Sequence, residues 1–260
     1  MRLATTALRW RRERLPALVV ELRVVRGSAP RAAGTRMLVA ADAVEGTIGG
    51  GHLELKAIER ARALLRGEAL APEWAVPLGP ALGQCCGGNV TLAFVPLSDC
   101  PDWPLPAPRF VLELHGAGHV GRAIVRLLDE IPCRVRWIDE RDEAFDGLDL
   151  PPHIEPVVAA SAPDEAARAP AGACHLVLTH RHDLDLEIVH ALLRRADTAF
   201  VGLIGSQTKR ERFRARLAER GHGSETLARL VCPIGLPGVA GKEPAVIAVA
   251  VVAQLLALPG

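Results

Sequence analysis

At 260 residues, with 49% hydrophobic and 23% charged side chains, the chain has apolar material for packed cores and a length that suits two domains. Its 31 basic and 30 acidic residues leave a formal net charge of +1. This excludes a disordered, solvating chain and any overall field toward nucleic acid or an anionic membrane, so an anion site has to be local.

The basic start runs into an apolar stretch broken by Glu21, Arg23 and Arg26, which is wrong for a secretory leader. Six cysteines without a CxxC pair give no disulfide framework, so reduced thiols and a cytoplasmic location are expected. In chain order, residues 18–25 and 35–39 read as strands, 53–65 as an amphipathic helix and 90–95 as another strand, with glycine-rich turns between them. Residues 1–98 therefore read as a small α+β domain. At 99–108 four prolines in ten residues deny both helix continuation and ladder hydrogen bonds, and the linker is placed there.

From 109 to 260, apolar runs at 110–114, 134–138, 175–179 and 200–204 alternate with helical patterns at 120–128, 184–195, 209–220 and 245–256. Strands alternating with helices call for a parallel sheet covered on both faces, a Rossmann-like doubly wound α/β domain. The tract 245–258 contains Gln254 and falls short of the roughly 20 residues of a membrane span, so a soluble protein is expected.

The first strand of this second domain leads into Gly116-Ala-Gly118-His-Val-Gly121 and then a helix, the context in which this glycine pattern carries weight. Gly116 permits the tight turn, Gly118 lets backbone N–H groups approach a pyrophosphate, and Gly121 lets the helix pack close to its strand. Eighteen residues beyond Gly121, Asp139 sits where an acceptor for a ribose 2′-hydroxyl is expected. A carboxylate there disfavours a 2′-phosphate, although Arg141 argues the other way. The competing reading is a βα turn that binds nothing.

The first domain holds three segments with glycine beside polar or reactive side chains. They are Arg26-Gly-Ser28-Ala-Pro-Arg31, Gly46-Thr-Ile-Gly49-Gly50-Gly51-His52 and Gln84-Cys85-Cys86-Gly-Gly88-Asn89. Gly49, Gly50 and Gly51 stand just ahead of the 53–65 helix, so their amides are either a phosphate cradle or a glycine-rich helix entry. Cys85 and Cys86 are vicinal, so in extended backbone one faces a ligand while the other enters the core; as soft donors they suit a high-valent metal centre, and as small apolar groups they suit a core. Zinc is a poor candidate, since neither thiol has a partner at ligand spacing.

Thr179-His180-Arg-His182-Asp183-Leu-Asp185 follows a strand, at the edge where open α/β sheets place ligands. Its imidazoles and carboxylates are candidates for acid, base or ligand, or else solvated groups beside a capping Asp183. Ser206 reads as a helix N-cap with a basic first turn available to an anionic cofactor, and Lys209, Arg210, Arg212, Arg214 and Arg216 as a solvated helix face, with a phosphate or partner-protein site as the alternative.

Taken together, these segments, with Gly202-Leu-Ile-Gly-Ser206 and Cys232-Pro-Ile-Gly235, resemble the xanthine dehydrogenase accessory family (XdhC/CoxI) over nearly the whole chain. The resemblance implies an accessory protein rather than an enzyme. Such a protein binds molybdenum cofactor (Mo-molybdopterin), shelters it from oxidation, cooperates with a cysteine desulfurase that supplies the terminal sulfido ligand, and delivers it to apo-xanthine dehydrogenase. It further implies that the pterin phosphate rests on the glycine-rich helix start or on the Rossmann glycines, with Cys85 or Cys86 facing the metal. A bound dinucleotide and a homodimer stay open. Two other readings remain: an NAD-dependent oxidoreductase with His180 or His182 as proton donor, and a sulfur carrier with a persulfide on Cys85 or Cys86.

Overall fold

The computed structural model describes residues 2–29, 31–78, 88–100 and 107–258. The chain divides into two compact units, 2–105 and 106–260, so the division in sequence falls inside the proline-rich stretch.

The first unit opens on helix α1 (Arg2–Arg12), followed by β1 (Ala17–Arg26), β2 (Arg36–Ala40), β3 (Val44–Gly46), helix α2 (Gly51–Leu65), β4 (Glu73–Pro77) and β5 (Asn89–Pro96). The strands form one antiparallel sheet in the order β3-β2-β1-β5-β4. Strand alternation decides which helix each residue meets. Leu18, Val20 and Leu22 of β1, with Met37 and Val39 of β2, pack against Leu53, Ala57 and Ala61 of α2. The intervening Ala17, Val19, Leu38 and Ala40 pack with Ala7 and Trp10 of α1. Each face of the sheet therefore has its own helix.

The second unit runs β6 (Val111–His115), α3 (His119–Leu128), β7 (Arg134–Asp139), β8 (Ile154–Val158), α4 (Ala162–Arg168), β9 (Cys174–Val177), α5 (His182–Leu193), β10 (Phe200–Leu203), α6 (Gln207–Glu219), α7 (Ser224–Ala228), β11 (Leu230–Val231) and α8 (Pro244–Leu256). Its six strands are parallel in the order β11-β10-β9-β6-β7-β8. The chain winds outward from β6 through β7 to β8, then returns to place β9 on the other side of β6 and winds the opposite way. That reversal opens a crevice at the carboxyl ends of β6 and β9, where doubly wound sheets bind ligands. One face of the sheet packs Leu112, Leu114, Val135, Trp137 and Leu176 against α3 and α8. The other packs Ile138, Val177, Val201 and Leu203 against α4, α5 and α6. Among the described residues no helix is long and apolar enough to cross a membrane.

Both expected architectures are present, but the run read as apolar at 110–114 hides a polar row. Glu113 and His115 share one side of β6, and Glu113 stands in register with His175 of β9. All three are fully buried. The two imidazoles stack with centroids 5.9 Å apart, and none of their four ring nitrogens has a hydrogen-bond partner. One oxygen of Glu113 takes Arg136 at 2.9 Å, and the other has no partner. Burial pushes the Glu113 carboxyl up to about 7 against the pull of Arg136. It lowers both imidazoles, His175 to about 4.

Candidate cofactor-binding site

The turn from β6 into α3 explains two of its three glycines by packing alone. Gly116 has φ of +119°, and a β-carbon there would lie 2.4 Å from the Leu178 carbonyl oxygen at the end of β9. At Gly121 it would lie 2.3 Å from the Gly116 carbonyl oxygen, so only glycine lets the helix start against its strand. Gly118 differs. Its backbone is ordinary extended chain (φ −77°, ψ −170°), and a β-carbon there would meet no heavy atom within 4 Å. Nothing in the fold asks for glycine at 118; it faces open space at the helix N-terminus, where unpaired amides and the helix dipole favour an anion. Trp137 Nε1 donates to the Gly116 carbonyl at 3.1 Å and Arg122 reaches the carbonyls of Ala117 and Ala144 at 3.3 and 2.7 Å, which holds the turn in place.

This turn floors a cleft of about 470 Å³, lined by Ala117, Gly118, His119 and Val120, by Asp139 and Arg141 after β7, by Leu178, Thr179 and His180 after β9, and by Ile204 and Pro244. The sequence-flagged Gly118, Asp139 and His180 thus come together at the reversal of strand order. Asp139 is engaged within the chain. Its Oδ2 accepts from the Ala117 N–H at 2.7 Å and Arg141 Nη2 at 2.9 Å, and its Oδ1 from the Arg141 N–H at 3.1 Å and Nε at 2.8 Å. Burial works to raise this carboxyl, but the bonds from Arg141 and Ala117 outweigh it and hold it below the ordinary range.

The segment after β9 divides its polar groups sharply. His180 and His182 are exposed, and Asp183 pairs with Arg181 on the surface at 3.3 Å. Asp185, two residues on, is fully buried and accepts from the Thr179 N–H at 3.0 Å, the Thr179 hydroxyl at 2.7 Å and Lys209 Nζ at 2.7 Å. Lys209 also donates to the Ile204 carbonyl at 2.9 Å and lies 5.2 Å from the Phe213 ring centroid. The expectation that Lys209 joins a solvated face is therefore corrected: it folds inward because Asp185 needs a buried counter-ion, and the pair ties the β9 and β10 edges of the cleft together. Ser206 caps α6, its hydroxyl accepting the Lys209 N–H at 3.2 Å, and does not line the cleft. Sequence reading missed the Asp185–Lys209 pair, since 24 residues separate the partners and nothing in the spacing links the segment after β9 to the basic face of α6.

In the first unit, two of the three glycine-rich segments meet. A β-carbon on Gly88 would lie 2.3 Å from the Ser28 carbonyl oxygen and 2.7 Å from that of Arg26, so the described end of the cysteine segment presses on the turn after β1. The side chains of Arg26, Ser28 and Arg31 are exposed. Gln84, Cys85 and Cys86 lie outside the described residues. Ahead of α2, Gly49, Gly50 and Gly51 all have positive φ, and the exposed His52 stands in the first turn. The Ile48 and Gly50 amides donate to Glu54 Oε2 at 3.0 Å each, and the Gly49 amide to Thr47 Oγ1 at 3.0 Å. These three N–H groups serve a capping arrangement, which leaves the amides of α2's own first turn as the donors available there.

Comparison with known proteins agrees with this architecture. Residues 112–255 match the family described as the XdhC Rossmann domain, and residues 10–71 match the XdhC and CoxI family. The Escherichia coli (strain K12) protein YqeB, itself uncharacterized, is 29% identical over 260 residues; 98% of this chain is covered, but only 46% of YqeB. The chain thus spans about half the length of that relative. A crystal structure from Bacillus halodurans, described as a xanthine dehydrogenase, shares the fold with a TM-score of 0.70 at 19% identity, covering 97% of this chain and 94% of that one. With more than half of its length matched by the XdhC Rossmann domain and its first unit by the XdhC and CoxI model, the chain belongs to the XdhC family.

Proposed function

We propose that this chain is an accessory protein that holds molybdenum cofactor, shelters it from oxidation, supports its sulfuration with a cysteine desulfurase, and passes it to a xanthine-dehydrogenase-type apo-enzyme. The observation that carries the reading is Gly118: the fold gives no reason for glycine there, whereas an anionic ligand brought close to the backbone does. The donors around it suit such a group. The first-turn amides of α3 and the Arg141 guanidinium line one cleft, and a pterin phosphate requires that kind of lining. Once delivered, the cofactor supplies redox chemistry at molybdenum to the recipient enzyme.

On this reading the chain's own residues bind and orient. The α3 amides and Arg141 hold the phosphate, and His180 borders it. Separately from this cleft, Cys85 or Cys86 of the first unit is the soft donor proposed for molybdenum. The oxidoreductase alternative needs Asp139 as acceptor for a ribose hydroxyl, and four donors already occupy that carboxylate. Removing the chain from its host tests the proposal: the recipient dehydrogenase should then accumulate without molybdenum cofactor, and full loading in its absence refutes it. Alanine at Cys85 and at Cys86, made separately, assigns the thiol; the proposed metal contact is wrong if both variants still hold cofactor.

A further inference from the structure

The cleft ends at β7 in a group whose chemistry is opposite to that of a ribose-binding acid. A carboxylate offers about four lone-pair positions. On Asp139 four donors fill them, three from Arg141 and one from Ala117, and the side chain is only 3% exposed. A neutral diol seeking an acceptor would have to displace one of the four donors from a nearly buried carboxylate whose guanidinium partner is partly buried, a charge-assisted arrangement that is costly to break on one side. Arg141 is placed the other way. Its side chain is 38% exposed and lines the cleft beside Gly118. A guanidinium carries five N–H donors. Asp139 takes the one on Nε and one on Nη2, so three remain, both Nη1 hydrogens among them. Glu143 adds a weaker electrostatic attraction.

We infer that Arg141 is a recognition residue for a phosphate ester at the β7 end of this cleft, and that Asp139 is its positioning partner instead of a ribose ligand. The inference rests on the reading of the cleft as a ligand site and specifies what that site selects. A planar guanidinium clamped by one carboxylate keeps a fixed orientation, and its free edge matches an anion with several acceptor oxygens. The α3 N-terminus, on the floor of the same cleft, favours negative charge as well. Two sources supply this chemistry: the phosphate of a pterin monoester, or the 2′-phosphate of a nicotinamide dinucleotide.

Calorimetric titration of the full chain with two matched pairs separates them: dihydroneopterin against its monophosphate without air, and NAD⁺ against NADP⁺. In at least one pair the phosphate-bearing member should bind about ten-fold tighter or more, the value of one to two charge-assisted hydrogen bonds. Arg141→Gln, whose amide still donates to Asp139, should abolish that preference while thermal unfolding shows an intact fold. Arg141→Lys should keep part of it, through charge without the fork. The pair that shows the preference identifies the source; a dinucleotide preference alone leaves this inference standing and removes the pterin phosphate from the cleft. Equal binding within both pairs, or a preference that survives Arg141→Gln, overturns the role of Arg141. No binding by any of the four probes overturns the cleft as a ligand site and the inference with it.

Discussion

Alanine at the three glycines of the β6–α3 turn should separate packing from function. At Gly116 the new β-carbon brings two costs: left-handed strain of about 1–2 kcal/mol, because φ is +119°, and overpacking of about 1–3 kcal/mol against backbone atoms of Leu178 and Thr179 at 2.4–3.0 Å. Gly116→Ala should therefore destabilise the second unit by about 2–5 kcal/mol. Gly121→Ala has the clash with the Gly116 carbonyl without the strain, so about 1–3 kcal/mol is expected. Gly118→Ala meets open space; the gain from a stiffer unfolded chain and the loss of a better N-cap offset each other to within about 0.5 kcal/mol. Native-state hydrogen exchange of the β6 and α3 amides reads the opening free energy of this unit alone. Gly118→Val should leave that free energy within about 1 kcal/mol but remove ligand binding, because two methyl groups would occupy the approach to the backbone. If Gly118→Ala proves as destabilising as Gly116→Ala, position 118 is structural and the main argument for a ligand fails.

Lys209→Met leaves Asp185 buried without its counter-ion, a loss of about 3–5 kcal/mol that Asp185→Asn in the same chain should partly restore; urea unfolding of the single and double variants checks this, and a neutral Lys209→Met contradicts it. Between pH 7 and 5 the unfolded chain protonates His115 and His175 while the folded protein, with both values lowered, keeps them neutral, so they weaken stability below about 6.5; the raised value of Glu113 makes its protonation stabilising as pH falls from about 7 toward its unfolded range. Glu113→Gln removes the opposing contribution, so its melting temperature should fall more steeply over this interval than the wild type's, by the equivalent of about 2 kcal/mol; a flatter profile reverses the assignment. Leu53→Ala, at a fully buried position between α2 and the sheet, should cost about 2–5 kcal/mol in thermal or urea unfolding, whereas Leu55→Ala on the exposed side should cost under about 0.5 kcal/mol.

The central strands were legible because a strand buried on both faces reads as a mostly apolar run, as β10 and most of β9 do, while β6 and β7 show through apolar residues that alternate with Glu113, His115, Arg134 and Arg136. The edges were not. β4 ends in Pro77, β8 carries Pro156 and β11 has only two residues, features that suit an edge and erase a strand pattern. Helix α1 escaped because its buried stripe is mostly small, Ala4 and Ala7 with Trp10, inside a basic stretch that reads as a solvated terminus. At the site, the glycine spacing located the turn and gave each glycine its own demand, and the contacts divide them the same way: Gly116 and Gly121 answer to packing and Gly118 does not. Asp139 stood where the pattern wants an acid, but two residues of sequence separation do not reveal that Arg141 folds back to claim it. The polar row of Glu113, His115 and His175 was hidden between leucines, and alternation was its one available signal.

Molybdenum and pterin content of the chain purified without air from molybdenum-replete cells tests the proposed function most directly. The proposal predicts that metal and pterin co-purify in matching amounts, and that Gly118→Val loses both while keeping its fold. A chain that is isolated without pterin and takes none up when supplied with it contradicts the proposal.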